Sequence, residues 1–256
     1  VNAFNLRRLG YLLRADLVAD YRTDAIVCAT LTAVMLVVSM FTVFQGNEHG
    51  DFYLSWYFGG LFVWGPILAS FSFRELHDKT RNEAFLLLPA SAFEKALARL
   101  LGATVIFFVY LLVFLSVASA LVEGINWLVF GRRNGLFDAS HWAVWRPVVH
   151  FIVLVSLYFL GAAWFRKLHF IKTALTLTAL PIAFACFTVV VTMLVTEDFR
   201  GIQVDGEDAY NFYLAHRNVL DTLLTALKVL YFPVLPLFCW YVAWLRVKET
   251  EVSHGV

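Results

Sequence analysis

No glycine in the chain is followed directly by lysine and no G-x-x-x-x-G-K-[ST] motif occurs, so the protein does not bind nucleotide through a P-loop. The seven histidines, His49, His77, His141, His150, His169, His216 and His254, include no H-E-x-x-H pair, which argues against an intramembrane metalloprotease. Cysteine is scarce: Cys28, Cys186 and Cys239 each fall in an apolar stretch without metal or redox spacing and read as small packing residues. Charge is scarce too, at 15% of residues against 61% apolar and 17% aromatic, with a mean hydropathy of +0.73. That balance lies far from soluble-domain averages and defines a polytopic membrane protein. The net charge of +1 decides nothing, because the informative quantity is how charge divides between loops. Residues 1–22 hold four arginines and no continuous apolar core, so no cleavable signal peptide is expected and the first span serves as the insertion signal.

The apolar runs predict an all-α protein with six spans in a single transmembrane domain, 1–256. Residues 1–24 carry Leu6, Leu9, Leu13 and Leu17 on one helical face, with Arg7 and Arg14 beside that stripe and Arg8 opposite. This is an amphipathic helix at the membrane surface; the alternative is a lead-in whose leucines pack on the bundle. The spans are read as 25–44, 52–73, 100–122, 147–165, 173–195 and 229–245. The second carries Gly59, Gly60, Gly65 and Pro66, which suit either a helix lining a pathway or one packed tightly against neighbours, with a kink at the proline. The fifth carries Thr176, Thr178, Thr188 and Thr192, able to bond back to their own helix or across to another. Glu123 to Arg146 reads as a long loop with Trp127, Trp142 and Trp145 at headgroup level. The run 219–245 exceeds one upright span and contains Lys228, Pro233 and Pro236, so residues 219–228 are read as a separate short outer helix. Lys228 reads as snorkelling from the outer end of the sixth helix, with substrate contact as the second reading.

The longest polar interruption, Arg74 to Leu101, carries more basic residues than any other. Arg74, Glu75, Asp78, Lys79, Arg81 and Glu83 alternate in sign, residues 84–88 are apolar with Leu87 among them, and Pro89 ends or kinks the first helix. Ser91 followed by Glu94 is a capping-box signature for a second helix that runs into the third span. The stretch therefore reads as helix, elbow and restart at the membrane surface. With the N-terminus inside, inner segments hold 14 basic residues and outer ones 5, which places both termini and the elbow in the cytosol. No aspartate or glutamate lies mid-span on this assignment, which disfavours a proton- or sodium-coupled carrier.

Six spans, an amphipathic N-terminal helix, and a charged helix leading into N-E-A-F-L-L-L-P-A-S-A-F-E-K-A-L-A-R-L-L resemble the permease subunits of bacterial type-2 ABC (ATP-binding-cassette) exporters. The residues that carry the resemblance are Glu83, Leu86 to Leu88, Pro89, Ala90 with Ser91, and Lys95 or Arg99. It implies a non-enzymatic subunit in the bacterial inner membrane that pairs with a second permease chain, identical or paralogous, among membrane lipids and without nucleic acid. It further implies a separate ATPase subunit gripping the elbow, with ATP and Mg held by that partner and no cofactor on this chain. The second and fifth spans would line the pathway, making Gly59, Gly60, Gly65, Pro66, Thr176 and Lys228 its candidate residues. Residues 219–228 would match the family's outer re-entrant helix. The rival readings are a non-transporting membrane scaffold and an intramembrane lipid-modifying enzyme, although no nucleophile or metal cluster at one depth supports the latter.

Overall fold

The computed structural model describes residues 4–19, 21–46, 50–77, 90–165, 168–195 and 206–253. Among these every regular element is helical, and six helices are long and apolar enough to cross a membrane. We number them α1 (Leu6–Ala19), α2 (Tyr21–Phe44), α3 (Phe52–Gly59), α4 (Gly65–Phe71), α5 (Arg74–His77), α6 (Ala92–Leu101), α7 (Phe107–Phe130), α8 (Trp142–Trp145), α9 (Val148–Trp164), α10 (His169–Val195), α11 (Gly206–Val229) and α12 (Leu235–Ser253). Short π-helical turns join α3 to α4, α6 to α7 and α11 to α12, at Gly60–Trp64, Gly102–Ile106 and Leu230–Val234.

Two of the π turns have an evident cause. A proline ring collides with the carbonyl four residues back, and its missing N–H removes one ladder bond. Pro66 and Pro236 each follow a π turn by two residues, and the widened turn shifts the bonding so that Gly65 donates to Gly60 and Leu235 to Leu230. The helix thereby continues past the proline without a break. The consequence for the last span is a correction: α11, the π turn and α12 form one helical run from Gly206 to Ser253, and residues 219–228 are not a separate piece.

A second correction concerns α7. It continues to Phe130 instead of ending at Val122, and stops where Gly131 adopts φ +66° and donates its N–H to the Trp127 carbonyl. A left-handed residue after the last turn is costly for any side chain but glycine, so Gly131 is the helix stop. Beyond it, residues 131–141 run without helix across the ends of α2 and α3, and Gly135 presses so closely on Gly50 that an added Cβ would lie 2.7 Å from its carbonyl oxygen.

The main core gathers Met35 of α2, Tyr53 and Tyr57 of α3, Leu111 and Leu115 of α7, and Phe151 and Val155 of α9. Glycine sets its closest approaches. A Cβ at Gly60 would lie 2.7 Å from Leu111, and one at Gly65 would lie 2.5 Å from the Phe151 ring. Gly59 has nothing within 4 Å. We therefore expect Gly65→Ala to destabilise the protein by about 1–3 kcal/mol through overpacking, whereas Gly59→Ala is neutral or stabilising by up to about 1 kcal/mol through reduced backbone entropy. Reversible unfolding in mixed micelles distinguishes them, and equal effects would refute this packing account.

Candidate functional site at the elbow flanks

Residues 78–89, with Asp78, Lys79, Arg81, Glu83, Leu87 and Pro89 among them, lie outside the described residues. Their two flanks are described, and both are tied into the bundle at the end that carries α1. On the first flank, Arg74 and Glu75 open α5. Phe73 and Leu76 bury against Ala92 and Leu100 of the second flank, Phe159, Ala162 and Ala163 of α9, and Ala243 and Val247 of α12. The Phe73 and Phe159 rings lie 4.7 Å apart. Between the flanks the Arg99 guanidinium donates to the Glu75 carboxylate at 2.6 Å. The Glu75 side chain is 39% exposed, so solvent screening keeps this pair to about 1 kcal/mol or less; its value is in fixing geometry.

On the second flank the capping box read from sequence is formed. Ser91 Oγ accepts from the Glu94 N–H at 3.2 Å, and Glu94 Oε2 accepts from the Ser91 N–H at 2.8 Å. The other oxygen of the same carboxylate does something the spacing cannot show: it accepts the backbone N–H of Asn5 at 2.7 Å, at the start of α1. Glu94 is fully buried between the two. Asn5 Oδ1 in turn caps α1 by accepting from the Arg7 N–H. A chain of edge-on aromatic contacts, Phe4 to Phe93 and Phe93 to Trp244, links α1 through α6 to α12. Residues 6–19 thus belong to this junction through Leu9, which is buried, while Leu6 on the same stripe is exposed. Lys95, the other basic residue of the motif, is buried beside the cap.

Next to this junction an apolar cleft of about 610 Å³ opens between α6, α7, α9 and α12, bordered by Phe93, Leu100, Thr104, Phe108 and Trp244. Trp240 closes one side by donating its indole N–H to Ser156 Oγ at 2.7 Å.

The structure does not bring the pathway candidates together. Gly60, Gly65 and Pro66 are buried at the helix crossings described above, and Gly59 is half-buried beside them. Thr176 is exposed on α10, its hydroxyl donating to the Lys172 carbonyl one turn back, and Lys228 is exposed in the last turn of α11.

Sequence reasoning missed a polar cluster at the opposite end. Glu123, read as the first residue of a loop, sits inside α7 and is buried. Its Oε1 accepts from Ser39 Oγ and Tyr53 OH, each at 2.6 Å, and its Oε2 from the Asn134 N–H at 2.7 Å and Asn126 Nδ2 at 3.2 Å. Asn134 Nδ2 also donates to Ser39 Oγ at 2.8 Å and Thr42 Oγ1 at 3.2 Å. Among the described residues no basic side chain forms an ion pair with Glu123. Four donors stand in for water around one carboxylate, and they staple α2, α3 and the 131–137 segment to α7. The signal available in sequence was Gly131, whose stop role puts Glu123 and Asn126 on one face of a continuing helix. Farther along the segment, Asp138 is solvated, and hydrogen bonds from the Ser140 hydroxyl and then its N–H hold its carboxyl below the usual range.

Together these features define an all-helical, multi-pass membrane protein. No family model, curated protein or solved structure matches the chain.

Proposed function

We propose that the protein is the permease subunit of an ABC exporter, working in pairs and driven by a separate ATPase subunit that binds residues 74–101. The observation that carries this reading is the double anchoring of the elbow. Its first flank is packed on α9 and α12, and its second is capped, ion-paired and joined to α1, so a displacement of the two flanks is passed directly to α1, α9 and α12. Coupling by rigid-body displacement needs such stiffness, because packed elements shift between discrete arrangements and do not deform continuously. The alternating charges from Arg74 to Glu83 supply the means of matching a partner surface, where complementary charge sets register and selectivity. The 14-to-5 division of basic residues supports a cytosolic placement of this end. ATP and Mg belong to the partner, and the chain itself performs no catalysis.

Affinity purification from the native membrane in mild detergent tests the reading. The wild type is expected to bring down a P-loop ATPase, and Glu83→Arg to reduce its recovery by roughly tenfold, as when a charge pair at an interface is reversed. Recovery of the wild type alone as a monomer would overturn it and leave a scaffold of the same topology.

A further inference from the structure

A second cleft, of about 570 Å³, lies at the end opposite α1, between the second span, α8 and α9, and the π turn of the last span. Its walls are ordered by depth. At the rim stand Trp142 of α8, Arg146, and His150 in the first turn of α9; Leu154 is one turn deeper on the same helix face. The facing wall is aromatic. Phe58 and Phe62 stack with centroids 6.5 Å apart, and Tyr231 packs against His150 at 6.1 Å, with Phe232 edge-on to the same imidazole at 5.3 Å.

Three features agree on the sign of the occupant. Arg146 is exposed and has no acidic partner among the described residues, and no acidic side chain lines the cleft. The first turn of the 17-residue α9 borders this rim, and the N-terminal end of a helix carries positive potential. Phe62 and Tyr231 both come from π turns, a conformation that places side chains out of helical register and recurs at functional sites. Arg146 offers several donors in one plane, a match for the oxygens of a phosphate.

We propose that this cleft binds one anionic phospholipid, its phosphate at Arg146 and His150 and the start of its acyl chain against Phe62, Leu154 and Tyr231. A free phosphate would gain nothing from the aromatic wall, and a zwitterionic lipid would bring its own cation to an already positive rim. The volume falls within the range of about 300–1,000 Å³ usual for small-molecule sites. The proposal depends on the membrane fold and not on the exporter reading.

The test uses the full chain in neutral detergent, titrated with phosphatidylglycerol or with phosphatidylcholine of identical acyl chains and read by native mass spectrometry. One phosphatidylglycerol per chain is expected to bind roughly tenfold more tightly than phosphatidylcholine, whose choline cation is repelled by the positive rim. Arg146→Gln is expected to erase that preference. Arg217→Gln, which removes a cation exposed on α11 and already paired with Asp221, keeps it. Circular dichroism and a single monodisperse species establish that both variants are folded. Equal binding of the two lipids by the wild type, or an undiminished preference in folded Arg146→Gln, overturns the proposal. Displacement of the lipid by millimolar inorganic phosphate also overturns it in favour of a free-phosphate site.

Discussion

Glu123→Ala is expected to destabilise the folded protein by about 3–5 kcal/mol, because removing one member of a buried polar network leaves the remaining members unpaired, at about 1–3 kcal/mol each. The four donors now aimed at Glu123 come from Ser39, Tyr53, Asn126 and Asn134, and none of these side chains is exposed. Water cannot replace the lost acceptor without entering a packed interior. Glu123→Gln separates charge from acceptance. Its oxygen still receives Ser39 and Tyr53, but its NH₂ faces the Asn134 N–H and the Asn126 amide, so about half of the loss is recovered. Reversible unfolding of the three proteins in mixed micelles checks the order wild type, Gln, Ala. A Glu123→Ala variant within about 0.5 kcal/mol of wild type, the range of ordinary surface changes, would mean the cluster is hydrated and does not hold the fold.

The second large effect is local. Glu94→Ala removes the carboxylate half of the α6 capping box, while the Ser91 hydroxyl still accepts the backbone N–H of residue 94, together with a charge-assisted bond to Asn5 worth about 1.5–3 kcal/mol. The cap belongs to α6 alone, but the second bond is what joins α1 to the elbow flank. Amide exchange over residues 6–19 is therefore expected to accelerate at least tenfold in Glu94→Ala, with residues 148–164 of α9 unchanged. Ser91→Ala loses part of the cap and keeps the tether, so it should leave α1 protected. If α1 exchanges at the wild-type rate in Glu94→Ala, the Phe4–Phe93 contact and the Leu9 packing hold that helix without the carboxylate.

The comparison of these two glutamates shows what was legible in the sequence. Each span announced itself through an apolar run of sufficient length, and the Ser91–Glu94 box was readable because both its members lie within one helical turn. The tether from Glu94 to Asn5 crosses 89 residues, and the bond from Ser39 to Glu123 crosses 84; no local pattern carries such information. Glu123 looked like the end of a span because the first charge after an apolar run usually is one, and here long-range donors pay the desolvation instead. At the last span, two prolines and a lysine suggested a break, but a π turn absorbs the proline within a continuous helix. The second-span glycines were read equally as pathway or packing, and two of them, Gly60 and Gly65, lie in close packing contact with Leu111 and Phe151, whereas Gly59 has no neighbour within 4 Å. Of the elbow residues, the sequence singled out Glu75, Ser91 and Glu94, which the structure gathers into one junction, while 78–89 lie outside the described residues.

The Asn5–Glu94 bond also imposes an order on biosynthesis. α1 is translated before α6, and the carboxylate that receives it is added 89 residues later, a delay on the order of 5–20 s at ordinary elongation rates. During that interval the first two spans are already being inserted while the N-terminal segment has no docking site, and its arginines and leucines are left to the membrane surface or to a chaperone. A nascent chain halted before residue 94 should therefore expose residues 6–19 to protease, and one halted well past the third span should not.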